Sequence, residues 1–140
     1  MKSKVYLAGW TGEIHYRAYC IKFMQDVDIF DPMKINEEKI FGKEYSEAYI
    51  KSENFTDQQI HDIVIADKTS IESCDVLVAF IKRLTAGTSM EILHAWNSNV
   101  PVYIINPGLL YQNDVWLKYH RSKLFETIDD CFNYIIKEDK

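Results

Sequence analysis

Short, nearly uninterrupted apolar runs alternate along the chain with longer stretches in which apolar residues recur every three or four positions. The first pattern suits a strand and the second a helix, so their alternation predicts an α/β fold. Val5-Tyr6-Leu7-Ala8 forms a strand ending at Gly9, and a helix over 13–25 follows with Ile14, Ala18, Ile21 and Met24 at helical spacing. Asp28-Ile29-Phe30 is a second strand, stopped at Asp31-Pro32 because proline cannot continue a ladder. Thr56-Asp57 caps a helix to about residue 73, with Ile60, Ile63, Val64 and Ile71 inward and Asp67 at a break within it. The run at 75–81 is the most apolar, the kind found in a parallel sheet covered on both faces, and is expected at the centre. A helix over 88–97, a strand over 100–105 closed by Asn106-Pro107-Gly108, a short strand at 123–125 and a helix over 128–136 complete the order. The sum is a flavodoxin-like or Rossmann-like three-layer sandwich with a parallel sheet of about five strands. Ligands of such sheets collect beyond the carboxyl ends of the strands, which directs attention to the loops after residues 8, 31, 80 and 105.

Residues 33–56 interrupt this rhythm. They are polar, rich in Lys and Glu, and carry Phe41, Tyr45, Ala48 and Tyr49 on one helical face. They read as an inserted helix or lid, or else as a surface excursion covering the sheet edge.

A length of 140 residues with 47% hydrophobic and 26% charged positions corresponds to one domain, residues 1–140, with a core that needs neither metal nor disulfide. The apolar run at 76–81 falls far short of the roughly 20 residues that span a bilayer. The N-terminus has no apolar stretch of the length a secretory leader needs, so a cytoplasmic location without membrane contact is expected. Sixteen basic against 21 acidic residues give a net charge of −5, with the cations dispersed. Binding of a nucleic acid polymer needs clustered cations and is disfavoured, whereas a small anionic ligand needs only a local site. Cys20, Cys74 and Cys131 are odd in number and widely spaced, as expected of reduced core thiols. His15, His61 and His94 lack the spacing of metal ligands.

Two loops carry candidate chemistry. In Gly9-Trp10-Thr11-Gly12 the glycines admit close approach of a ligand and Trp10 offers a face for a base or sugar, although a plain tight turn with a surface Trp explains the same residues. In Gly87-Thr88-Ser89-Met90-Glu91, Thr88 and Glu91 have the spacing of a capping box, which requires no chemistry. The functional alternative is a carboxylate in the first turn of a helix, held as an anion by the helix dipole and suited to act as a nucleophile.

Val5-Tyr6-Leu7-Ala8-Gly9, Asp67 ahead of Ile71 and Asp75, and Gly87-Thr88-x-x-Glu91 before Ala95 together resemble the nucleoside 2-deoxyribosyltransferase family, which includes the deoxynucleoside 5'-monophosphate N-glycosidases. The resemblance covers most of residues 4–105 and implies the same sandwich fold. It implies Glu91 as the nucleophile at the anomeric carbon of a 2-deoxyribosyl group, Tyr6 orienting Glu91, and Asp67 assisting as proton donor to the departing base. Gly9 and Trp10 would line the pocket together with Gly87 and Thr88. Such chemistry runs on two carboxyl groups, as in retaining glycosidases, and implies no metal or redox cofactor. The substrate class is a small deoxynucleoside or deoxynucleotide. Transfer to a second base or hydrolysis depends on which acceptor reaches the site.

Two positions depart from the transferase pattern. Thr85 stands where the transferases carry an acid for the sugar 5'-hydroxyl, and a hydroxyl there matches the monophosphate glycosidases; Lys82, Arg83 and Arg17 are possible phosphate partners or solvated surface cations. Leu93 replaces the usual glycine two residues after the nucleophile. The resemblance also implies a homo-oligomer in which a neighbouring subunit completes the pocket from the segment 111–121, with Asn113 and His120 as candidates. Two other functions remain open: a nucleotide-binding or sensing module without turnover, and a phosphoribohydrolase with a similar GT-x-x-E loop.

Overall fold

The strands β1 (Lys4–Gly9), β2 (Asp28–Phe30), β3 (Val76–Phe80), β4 (Val102–Ile105) and β5 (Lys123–Phe125) form a five-stranded, all-parallel sheet in the order β2-β1-β3-β4-β5. The computed structural model describes residues 2–10, 12–36 and 55–139. Between and after the strands lie helices α1 (Ile14–Cys20), α2 (Pro32–Asn36), α3 (Asp57–Ser73), α4 (Ala86–Asn97), α5 (Val115–His120) and α6 (Ile128–Glu138). This is the expected α/β sandwich, with strand order reversing between β1 and β3. In sheets of this kind the loops that follow the two strands at such a switch point diverge, and the crevice between them is where ligands settle.

Alternation along the strands divides the core into two layers. Val5, Leu7, Val76, Val78 and Phe80 face α1 and α6, meeting Tyr16, Cys20, Cys131, Phe132 and Ile135. Tyr6, Ala8, Leu77, Ala79 and Ile81 face the other way, toward Ile71 of α3, Ile92 and Ala95 of α4 and Leu117 of α5. With both faces covered, every residue of β3 is buried, and this is why its sequence is continuously apolar rather than alternating. The three cysteines are buried and free, and burial pushes the Cys20 and Cys74 thiols up to about 12.

Several local expectations are corrected. The first helix ends at Cys20 and gives way to a 3-10 turn over Ile21–Phe23. Its apolar stripe does not face the sheet: Ile14, Ile21 and Met24 are at least half exposed, and Tyr16, Arg17, Cys20 and Phe23 turn inward instead. Aromatic packing decides this, since Tyr16 stacks on Phe80 at 4.6 Å and Phe23 on Phe132 at 4.7 Å. In α3, Ile63 and Ile71 are buried as expected but Ile60 and Val64 are exposed, and the helix passes through Asp67 without a break. Its N-terminus does carry a full capping box, Thr56 with Gln59. Helix α5 was not anticipated. Of the expected lid, 33–36 belong to the short helix α2 and 37–54 lie outside the described residues. Among the described residues no helix is long and apolar enough to cross a membrane.

Candidate active site

Tyr6 sits in the middle of β1 and, by the period of the strand, on the face that packs against α3 and α4. It is fully buried, and its hydroxyl donates to the Glu91 carboxylate on α4. Burial pushes the Glu91 carboxyl up to about 8; the Tyr6 hydrogen bond and the more distant Arg17 charge pull against that rise, while the negative charge of Asp67 adds to it. Asp67, facing the same crevice from α3, raises the Tyr6 phenol as well. Burial, Glu91 and Asp67 together hold that phenol protonated, so it remains a donor. Three elements thus converge on one point: a phenol from β1, a carboxyl from α4 and a second carboxyl from α3 within electrostatic reach of both.

The helix carrying Glu91 starts earlier than the sequence suggests. Its cap is Thr85, whose hydroxyl oxygen accepts from the Thr88 amide at 3.4 Å and lies 3.0 Å from the Thr88 hydroxyl. The expected capping box between Thr88 and Glu91 is therefore absent. Thr88 falls in the first turn, buried at 1% exposure, and Glu91 lies in the second turn with its side chain free to reach Tyr6. The dipole argument for an anionic Glu91 is corrected with it, because a carboxyl one turn in gains less from the helix end and here loses more from burial. Gly87 lies exposed in the first turn with open space where a side chain would project.

The first loop approaches the same crevice. Gly9 adopts φ +156°, and a Cβ there would come within 3.2 Å of the Phe80 carbonyl, so glycine is required where β1 and β3 part. The Trp10 indole folds back over Gly12, 2.6 Å from where a Cβ would stand, and the Arg83 guanidinium lies 4.5 Å above the ring. This cation–π contact joins the loops after β1 and β3 and leaves the other face of the Trp10 ring as the one Arg83 does not cover. Arg17, read from sequence as a surface cation or phosphate partner, is neither: it is 8% exposed and paired with Asp31 at 3.0 Å.

The structure does not bring Asn113 or His120 to this point within one chain. Asn113 is exposed on the loop before α5. His120 is buried against Trp116, Trp96 and Tyr119, with its Nδ1 2.8 Å from the Trp116 carbonyl. It lines a groove of about 420 Å³ with Leu84, Ser89, Met90, Leu93 and Trp116, between α4 and α5. His94 pairs with Glu72 at 2.7 Å, across α4 and α3.

No protein-family model matches the chain, and no curated protein is matched by sequence. Solved structures are matched by shape. A conserved protein from Enterococcus faecalis V583 is 18% identical with a TM-score of 0.67, each chain covered in full. The 2-deoxyribosyltransferase of Bacillus psychrosaccharolyticus is 17% identical with a TM-score of 0.72, over 94% of this chain and 92% of that one. The CMP N-glycosidase of Clostridium botulinum is 14% identical with a TM-score of 0.52, over 97% and 98%. The chain thus has the fold of a 2-deoxyribosyltransferase and a CMP N-glycosidase, the fold that its sequence motifs imply.

Proposed function

We propose that the chain cleaves the N-glycosidic bond of a 2'-deoxynucleoside or its 5'-monophosphate through Glu91, passing the sugar to water or to a second base. The observation that carries this reading is the Tyr6 hydroxyl on the Glu91 carboxylate at the switch point of the sheet, with Asp67 in electrostatic reach. The shared fold with enzymes of this chemistry supports it.

In the first step the ionised Glu91 carboxylate attacks C1' as the C1'–N bond breaks, through a state with oxocarbenium character. The bonding pair leaves with the base, and the Asp67 carboxyl supplies the proton that spares the base an anionic charge. The sugar is held as an ester on Glu91. In the second step water, losing its proton to Asp67, attacks C1' and frees Glu91; a second base attacking the same carbon, its ring N–H proton passing to Asp67, completes a transfer instead. Tyr6 holds Glu91 in line and stabilises the carboxylate as it leaves. One ionised and one protonated carboxyl are needed at the start; because burial lifts Glu91 to about 8 it rests protonated near neutral pH, and the reacting form is the one in which the single proton held by the pair has passed to Asp67. Thr85 places no negative charge near a 5'-phosphate, and Lys82 and Arg83 in the same loop are cations, which favours a monophosphate.

We also infer a homo-oligomer whose second copy completes the pocket. Met90, Leu93, Val115, Trp116 and Tyr119 are large apolar side chains exposed on α4 and α5, the kind of surface that a second copy would cover.

The experiment is chromatographic detection of free base from each deoxynucleoside, each deoxynucleoside 5'-monophosphate and CMP, with and without an added acceptor base, for the wild type and Glu91→Ala. Base release confined to monophosphates and lost in the variant is the expected result. Exchange between free nucleosides identifies a transferase. A folded protein that binds nucleotides and releases no base from any of them overturns the enzyme and leaves a sensing module.

A further inference from the structure

A buried cation beneath the crevice has no part in the chemistry just described. Arg17 projects from α1 under the carboxyl end of β1, where Nη1 donates to the Leu7 carbonyl at 3.2 Å and Nη2 to the Gly9 carbonyl at 3.0 Å. Nη1 also donates to Asp31 Oδ1 at 3.0 Å, and Nε is buried without a hydrogen-bond partner among the described residues. The two carbonyls bracket the strand end between Tyr6 and the Gly9-Trp10 turn. One guanidinium therefore fixes both the residue that holds Glu91 and the loop that borders the crevice. Asp31 is itself anchored, its Oδ1 accepting from the Met33 amide at 3.0 Å. The Arg17 side chain is 7% exposed and that of Asp31 19%, so the positive charge is the more deeply embedded and the less screened by water.

We propose that Arg17 is a positioning residue for the Glu91 site: its guanidinium holds the strand end that carries Tyr6 and Gly9, and it brings to that site a positive charge that Asp31 partly offsets. The groups facing Glu91 are Tyr6 from β1, Asp67 from α3 and Arg17 from α1. Those facing Arg17 are Asp31, Tyr6, Tyr16 and Cys20. Burial keeps Tyr6, Tyr16 and Cys20 protonated and uncharged through the neutral range. The charges acting on Glu91 are thus Asp67, which raises its carboxyl, and Arg17, which lowers it. Asp31, paired with Arg17, opposes the latter, so removing one partner is expected to act with the opposite sign to removing the other. A role confined to holding the fold together has no such sign.

The test compares Arg17→Gln, Arg17→Lys and Asp31→Asn with the wild type by carbon-13 NMR titration of the Glu91 carboxyl, assigned by its loss in Glu91→Gln, alongside the pH dependence of kcat/KM for base release. Arg17→Gln is expected to raise the Glu91 midpoint by about half a unit, roughly a threefold loss of rate on the acid limb. Asp31→Asn is expected to lower it. Arg17→Lys should keep the midpoint while raising KM, because an ammonium retains the charge but not the fork that grips two carbonyls. Midpoints that stay fixed, or that move in the same direction for Arg17→Gln and Asp31→Asn, overturn the proposal. If Arg17→Gln does not fold, the downward shift in Asp31→Asn and the fixed midpoint in Arg17→Lys decide it alone. The kinetic arm rests on the function proposed above and the NMR arm does not. A wild type that releases no base removes that function, while the titration still decides the role of Arg17.

Discussion

Glu91 is held in a state that costs the fold stability. Its carboxyl titrates near 4.5 when unfolded and at about 8 in the folded chain, so between these values the unfolded chain has lost a proton that the folded chain retains. The native state therefore binds more protons there, and the contribution of Glu91 to stability, complete below the unfolded value, falls as pH rises through the folded one. Glu91→Gln removes the titration while keeping the shape. The variant is expected to match the wild type in denaturant unfolding near about pH 5 and to exceed it by an amount of order a few kcal/mol near about pH 9. A gain that does not grow with pH would place the carboxyl in contact with water. Stability surrendered at one residue in this way is typical of sites whose chemistry requires a group that its surroundings resist.

Among the elements, α4 depends on its first turn. Thr85 satisfies the Thr88 amide and hydroxyl, and this aims the second turn, with Glu91, at Tyr6. Thr85→Ala is expected to cost about 1 kcal/mol in thermal or denaturant unfolding and to lower activity beyond what that loss explains, by letting the first turn fray. Strands were the most legible elements, because burial on both faces leaves an apolar run that little else produces. Helix faces were less so. In α1 the aliphatic stripe of Ile14, Ala18, Ile21 and Met24 has as good a period as the true inward face, and the choice was made by partners distant in sequence: Phe80, Phe132 and Asp31. The start of α4 was misread because Thr85 and Thr88 are equally good caps in isolation, and the bonds of Thr85 to Thr88 show which turn Glu91 occupies.

At the scale of the whole molecule, strand order could be anticipated only through the resemblance and the general habit of such sheets, while the crevice at the switch point followed from it. The grouping of Tyr6, Asp67 and Glu91 was legible as motifs. The buried Arg17–Asp31 pair was not, since neither residue has a local pattern that distinguishes a buried ion pair from two surface charges. The apolar flank of α4 and α5 was likewise hidden, because α5 itself was not anticipated and Met90 and Leu93 read simply as positions of a helix. In sedimentation velocity the wild type is expected to run as a dimer or larger assembly. Trp116→Glu, at a position 74% exposed, is expected to yield a monomer that stays folded, with a lower melting temperature that no longer depends on protein concentration. A wild-type monomer would remove the shared site.

One buried amide links this flank to the crevice. The Asn106 side chain, 1% exposed, donates through Nδ2 to the Ile81 carbonyl at 2.7 Å and accepts through Oδ1 from the Tyr111 amide at 2.7 Å. It ties the end of β3, from which the chain departs toward Glu91, to the loop that leads into α5. Neither bond can open without loosening the other, so the two loops behave as one cooperative unit in hydrogen exchange, and slower opening on one side is felt as slower opening on the other. Ordering the loop before α5 is thereby expected to slow exchange in the loop after β3 as well.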